Sequence, residues 1–351
     1  MSRAVPERAL AYDENKDNIR RGVVKAERVP GREVEKMANI GIALGSGAAK
    51  GWAHIGVLNE LASMGIFPNK VAGCSIGAVV GAAYAQDNLE DLEAWVSSFS
   101  SWDVLGLMDL SWRKGGLIGG EKVFDVMQQH IGNLDIEQMQ MPFAAVATDL
   151  YTGQEIWFKQ GNLRHAVRAS CSMPGILPPA RVGDRWLVDG AVVNPVPVSV
   201  SRAMGVDLVI AVDLNAHRKT RQQQLPVAIS SDVKASEAEL VKAEKELESG
   251  FMDLLARGRD YVSGLTDKFS LGNRSEPGML AVMSQSMDIL EQRHKRVRLM
   301  GDPPDILITP NVMEIGTMEF HRAGEAIEAG QEAVKQVAHI IRARVDELES
   351  H

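Results

Sequence analysis

Two consecutive apolar segments, NIGIALG and KVAGC, each break into glycine and small residues and run at once into a helical pattern. In the first unit, residues 39–65, Trp52, Ile55, Leu58 and Leu61 recur at helical spacing. In the second, residues 70–86, the helix IGAVVGAAYAQ is built of small side chains that can pack closely on a sheet. Strand, glycine turn and helix, stated twice, commit the chain to an α/β arrangement. Further strands are expected at 143–150 and 154–160, around the turn Tyr151-Thr152-Gly153, and at 185–190, 207–214 and 305–310. This alternation predicts a three-layer α/β/α fold whose central sheet is mostly parallel and covered by helices on both faces.

With 351 residues and 45% hydrophobic content the chain can bury a large core. Residues 1–38 mix both charge signs with few aromatics and are expected to form a flexible arm, with one domain over 39–340. Residues 216–278 interrupt it with a polar, charged insertion. Phe251, Leu254, Leu255, Tyr261, Val262 and Leu265 can line one helix face there, covering the parent core or a sister subunit in a homodimer, with membrane contact as the second reading. A charged helix is expected over 319–349, with Phe320, Ala323, Ile327 and Val334 inward and 341–351 as its end.

The net charge of −8 excludes a general nucleic-acid binder, which needs clustered Lys and Arg to neutralise phosphates. Cys74 and Cys171 stand without CxxC or Cys/His spacing and read as free thiols in a reducing compartment. The N-terminal stretch carries no apolar h-region, and no apolar run is long enough to span a bilayer. A cytoplasmic protein, at most peripheral to a membrane, is expected.

Gly73-Cys74-Ser75-Ile76-Gly77 is a G-x-S-x-G at a strand-to-helix junction, where the glycines remove Cβ atoms from a tight turn and the serine hydroxyl stands at the sheet edge. A serine needs a base to become a nucleophile. His54, His130 and His165 fall in helical stretches, His217 in the insertion, His294, His321 and His339 in late charged helices, and His351 at the C-terminus. None occupies a strand-end loop. The better candidate is Asp189 in RWLVDGAVVNPVP, a carboxylate at the end of an apolar strand whose proton affinity burial would raise. The run Gly45-Ser46-Gly47-Ala48-Ala49-Lys50-Gly51 offers backbone N–H groups at a helix start for a developing oxyanion. A dinucleotide fingerprint is rejected because Lys50 stands where its third glycine should be and no acidic residue ends a second strand. A P-loop is excluded by the missing G-K-S/T tail.

GSGAAKG, GCSIG and DGA, in this order and spacing, resemble the patatin-like phospholipases. ATDLYTGQEIWF, RASCSMPGILPPA, WLVDGAVVNPVPV and GDPPDILITP are similar to the bacterial branch related to neuropathy target esterase, of the RssA type. The resemblance covers roughly residues 39–340. It implies an α/β/α patatin-like fold and a Ser/Asp dyad that hydrolyses acyl esters of phospholipids or lysophospholipids without metal or cofactor. Ser75 would be the nucleophile and Asp189 its base. Gly45, Gly47, Ala48 and Ile76 would supply the oxyanion hole, with Lys50, Gly51, Gly73, Gly77 and Gly190 as supporting motif positions. Lys50 stands where the family commonly carries Arg, which keeps the charge but loses the planar fork. Acyl transfer through the same acyl-serine, or a non-catalytic regulatory role on this fold, are the competing readings. Asp149 and Arg168 are expected to pair inside the fold, and Met173-Pro174-Gly175 with Pro178-Pro179 to shape a rigid loop near the site.

Overall fold

The computed structural model describes residues 38–100, 121–216 and 279–350. The N-terminal arm and nearly all of the 216–278 insertion, including its Phe251 to Leu265 face, lie outside the described residues. The strands are β1 (Ile40–Leu44), β2 (Lys70–Cys74), β3 (Phe143–Asp149), β4 (Glu155–Phe158), β5 (Ala180–Val182), β6 (Arg185–Asp189), β7 (Leu208–Val212) and β8 (Ile306–Ile308). They form one sheet in the order β5-β6-β3-β2-β1-β7-β8, with β4 also paired to β3. The run from β3 through β2, β1 and β7 to β8 is parallel, whereas β4 and β6 are antiparallel to β3, and β5 to β6. Every residue of β1, β3 and β7 is buried, which is why these strands read as continuous apolar runs. Strand β5 has no counterpart in the sequence reading, since three residues leave no periodic signal.

The helices are α1 (Ala53–Ser63), α2 (Ile76–Ala85), α3 (Leu89–Ser97), α4 (Glu121–Ile131), α5 (Leu163–Ser170), α6 (Val198–Ala203), α7 (Met279–Gly301) and α8 (Ala323–Glu349). The alternation of side chains along the strands divides the core. Ile40, Ile42 and Leu44 of β1, with Val71 and Ile210, pack against α1, α2 and α8. The opposite face is lined by Ala43, Ala72, Ala144 and Ala211 and is covered by Val198 and Val200 of α6, with Leu299 of α7 packed alongside. Small residues on that face let a short helix approach the strands closely.

Helices α1 and α8 cross in backbone contact. A Cβ added at Gly56 would lie 1.9 Å from the Ile327 carbonyl oxygen, and one added at Gly330 would lie 2.0 Å from that of Ala53. Helix α8 begins after a single 3-10 turn, Phe320–Arg322, rather than at 319. Ala323, Ile327 and Val334 are buried as expected, while Phe320 is only partly buried and meets Trp52 edge-on at 6.0 Å. The helix runs unbroken past residue 341, with Ile341 and Val345 buried. Residues Lys219–Met287 cluster as a second compact unit, of which the described part is the first turns of α7. Among the described residues, no helix is long and apolar enough to cross a membrane.

Candidate active site

Ser75 sits between β2 and α2 with φ 56° and ψ −126°, a conformation that non-glycine residues rarely adopt. The neighbouring glycines allow it. A Cβ at Gly77 would lie 2.2 Å from the Leu44 carbonyl oxygen, and one at Gly73 would lie 2.5 Å from Ala78 Cα. Gly51 faces Ile76 equally closely, so the two glycine turns of the sequence are packed against each other. Strain of this kind costs about 1–3 kcal/mol. Ser75→Gly is therefore expected to raise the urea midpoint above that of Ser75→Ala; both lose the hydroxyl, and only glycine relieves φ.

Asp189 reaches Ser75 through strand register. Cys74 at the end of β2 pairs with Val146, and Asp189 at the end of β6 pairs with the next residue, Ala147. Because β4 occupies the other edge of β3 over the same residues, β2 and β6 share one edge and meet end to end. Gly190 permits the meeting: a Cβ there would lie 2.3 Å from the Val146 carbonyl oxygen. As a result, Ser75 Oγ donates to Asp189 Oδ2 at 2.6 Å. The other carboxylate oxygen accepts the Ala191 N–H at 2.8 Å. The aspartate backbone is held at both ends, its N–H donating to the Ser172 carbonyl at 3.0 Å and its carbonyl accepting from Thr148 Oγ1 at 2.9 Å. Ser75 itself donates its N–H to Ser170 Oγ at 2.9 Å.

Burial pushes the Asp189 carboxyl up to about 7. The hydrogen bonds from Ser75 and Ala191 pull against that shift, and the charge of Glu291 adds to it. A carboxyl poised near neutrality can both take and return a proton, which suits a general base. The two nearby thiols are held in their neutral form. Burial and the Asp189 charge raise Cys74 well above its ordinary value and raise Cys171 in the same direction. Histidine is absent from these contacts. His54 is buried on α1 and donates from Nε2 to the Gly45 carbonyl at 2.8 Å, and burial lowers it to about 4. His130 stacks on Trp95, and His294 bonds the Val193 carbonyl.

In the glycine loop, four N–H groups are already engaged. Gly45 donates to Val212 O at 3.1 Å, Ser46 to Pro195 O at 2.8 Å, Ala49 to Thr317 O at 3.1 Å and Lys50 to Gly47 O at 3.2 Å. Gly45 is thereby corrected from oxyanion donor to loop anchor, since its single N–H closes the sheet end. The N–H groups of Gly47, Ala48 and Ile76 donate to no other described residue. Ala48 also has a positive φ of 48°, which turns the loop at that position. Buried Lys50 points Nζ to Asn215 Oδ1 at 3.3 Å, and Asn215 donates its N–H to Asp213 Oδ1.

Three contributors come from outside the motifs. Ser46 Oγ donates to Glu291 Oε1 at 2.8 Å, and Lys295, one turn further along α7, forms a buried ion pair with Asp213 at 2.7 Å. Glu291 and Lys295 thus brace the glycine loop and the end of β7 together. The only sequence signal for this is the i, i+4 spacing of two opposite charges.

The residues from the glycine loop through the Asp189 strand fall within 42–201, the stretch matched by the family model described as patatin-like phospholipase. Over 350 residues the chain is 31% identical to an uncharacterized NTE family protein of Mycobacterium tuberculosis, covering 92% of this chain and 96% of that one. The chain belongs to the patatin-like phospholipase family. Similarity extends to the neuropathy target esterase sws of Drosophila melanogaster, 30% identical over 189 residues that make up 52% of this chain and 13% of that protein. It extends also to patatin-like phospholipase domain-containing protein 6 of Mus musculus, 32% identical over 52% of this chain and 14% of that one.

Within this patatin domain the expected Asp149–Arg168 pair is not made. Asp149 pairs instead with Arg185 at 2.8 Å and caps the turn at Tyr151 and Thr152. The Thr152 N–H and Arg185 together hold its carboxyl down to about 2. Arg168 turns the other way, donating to Ser172 Oγ at 2.7 Å and Pro178 O at 3.1 Å and lying over the Phe124 ring. It therefore braces the Met173–Pro179 loop, whose Ser172 carbonyl holds the Asp189 N–H.

Proposed function

We propose that this patatin-like protein is a serine lipid-acyl hydrolase acting on phospholipids or lysophospholipids, with Ser75 as nucleophile and Asp189 as its base. The observation that carries the reading is the 2.6 Å hydrogen bond from Ser75 Oγ to a buried carboxylate, made at a strained turn beside a loop with unengaged N–H groups. Asp189 Oδ2 takes the hydroxyl proton as Ser75 Oγ attacks the ester carbonyl. The oxyanion accepts from the N–H groups of Gly47 and Ala48, with Ile76 at the start of α2 as a third donor. On collapse the carboxyl returns its proton to the departing alkoxide, leaving an acyl-serine. Water then gives a proton to Asp189 and its oxygen to the acyl carbon; the proton passes back to Ser75 as the fatty acid leaves. A cytoplasmic protein working at a membrane surface fits a substrate that resides in lipid.

Treatment of the folded protein with a fluorophosphonate, followed by mass-spectrometric mapping, is expected to place one adduct on Ser75 and none in Ser75→Ala. Folded protein that takes no label at Ser75 would turn the assignment towards a regulatory role on the same fold. Product analysis with an added alcohol acceptor separates hydrolysis from acyl transfer. Free fatty acid should remain the product.

A further inference from the structure

Helix α7 is amphipathic in the reverse sense over residues 288–301. Its inward side is polar and fully bonded: Glu291 accepts from Ser46, Lys295 pairs with Asp213, and Arg298 donates to Val193 O and Ser199 Oγ at 3.2 Å and pairs with Glu155 at 3.1 Å. The outward side carries large apolar residues. Ile289 is 45% exposed, Leu290 63%, Val297 68% and Met300 78%. At 3.6 residues per turn, Ile289, Arg293, Arg296 and Met300 form one row and Leu290 and Val297 the adjoining one, opposite Glu291 and Lys295. A helix exposed only to water carries the opposite pattern, with its apolar stripe on the core.

We propose that this face of α7 docks on an anionic lipid surface. Arg293 and Arg296 stand exposed within the apolar rows and form no ion pair among the described residues. They belong to the basic run QRHKRVR in a chain whose net charge is −8, so the positive charge is placed locally on this helix. Apolar side chains interleaved with cations match the boundary between acyl chains and anionic headgroups. A second copy is the poorer occupant, because a two-fold contact would gather Arg293 and Arg296 of both copies in one patch whose rows hold no carboxylate. Lipid as the partner rests on the hydrolase reading above. The same helix holds Ser46 of the glycine loop through Glu291 on its opposite side, so docking would set the lipid surface about one helix diameter, roughly 10 Å, from that loop.

The test is co-sedimentation of Ser75→Ala protein with phosphatidylcholine vesicles with and without phosphatidylglycerol, so that binding is read without turnover. Binding is expected only with phosphatidylglycerol present and should weaken with salt. The double variants Arg293→Gln/Arg296→Gln and Leu290→Asp/Val297→Asp should each lower it about tenfold or more. With Ser75 intact, both double variants should keep wild-type hydrolysis of a soluble short-chain ester, which also certifies their fold, and lose vesicle-lipid hydrolysis in proportion. Equal sedimentation of variants and wild type overturns the proposal. So does a fall in solution mass by light scattering in the Asp variants, which would give the face to a second copy. Normal vesicle binding with no ester hydrolysis would count against the hydrolase reading alone.

Discussion

Asp189→Asn is expected to lower ester hydrolysis by roughly 10²–10⁴-fold with the fold intact, because an amide cannot take the Ser75 proton. In the wild type, kcat/KM for a neutral ester should climb as pH rises through about 7, where the buried carboxyl ionises, and the residual activity of the variant should lack that limb. The same group shapes stability. Its folded value lies above the ordinary 3.8, so between 3.8 and about 7 the native state holds a proton that the unfolded chain has released, and stability falls as pH rises across that window. His54 has the opposite sign. It is held neutral down to about 4 against an ordinary 6.5, so it makes stability rise with pH between those values. In the wild type the two slopes oppose each other. In Asp189→Asn that opposition is gone, and His130, which burial also lowers, acts in the same sense as His54, so the urea midpoint should increase with pH below 6.5 more steeply than in the wild type. Above 7 the inactive variant should be the more stable protein, since it no longer buries an ionised carboxylate. A variant that keeps the pH limb or the wild-type hydrolysis rate would remove Asp189 from the chemistry.

Gly56→Ala should be the most damaging single methyl in the described fold. Alanine improves helix propensity by about 1 kcal/mol. Here its Cβ would sit 1.9 Å from the backbone oxygen of Ile327, and a main-chain atom cannot rotate away. Helix α1 and helix α8 would have to separate, at a cost of about 3 kcal/mol or more, a large share of the 5–15 kcal/mol that holds an ordinary domain. Gly330→Ala presses on Ala53 from the other side and should behave alike. Gly324→Ala, in the first turn of α8 with nothing within 4 Å, is the control and should be neutral or stabilising. Chemical denaturation of the three variants checks the ordering. Movement of α1 would also carry His54 away from the Gly45 carbonyl, so Gly56→Ala should lose hydrolysis beyond its unfolded fraction.

Much of the sheet was legible because its centre is buried on both faces. The strands at Ile40–Leu44, Phe143–Asp149 and Leu208–Val212 admit little but apolar and small residues, and such runs stand out in any chain. Ser75 was legible for a related reason: a tight strand-to-helix turn admits few residue types on either side of its centre, so the constraint is written locally. A glycine-rich run offers many N–H groups and does not say which are already bonded, so Gly45 reads as an oxyanion donor although its N–H is taken by Val212. That depends on where Val212 and Pro195, far along the chain, come to rest. Opposite charge alone suggests Asp149 and Arg168 as a pair, whereas Arg185 reaches Asp149 and Arg168 is drawn to the loop at Pro178.

The sequence by itself determined the α/β alternation and the two glycine turns, and marked Ser75 at a strand-to-helix junction and Asp189 at a strand end, because each is set by neighbours close along the chain. Tertiary structure alone decided that Ser75 and Asp189 touch, since they lie 114 residues apart and meet only because β2 and β6 end against each other on one edge of β3. It also decided which loop N–H groups stay unengaged and that Glu291 and Lys295 brace the loop from α7. Hydrogen-bond partners at such separations follow from strand register and helix docking, which no local pattern encodes.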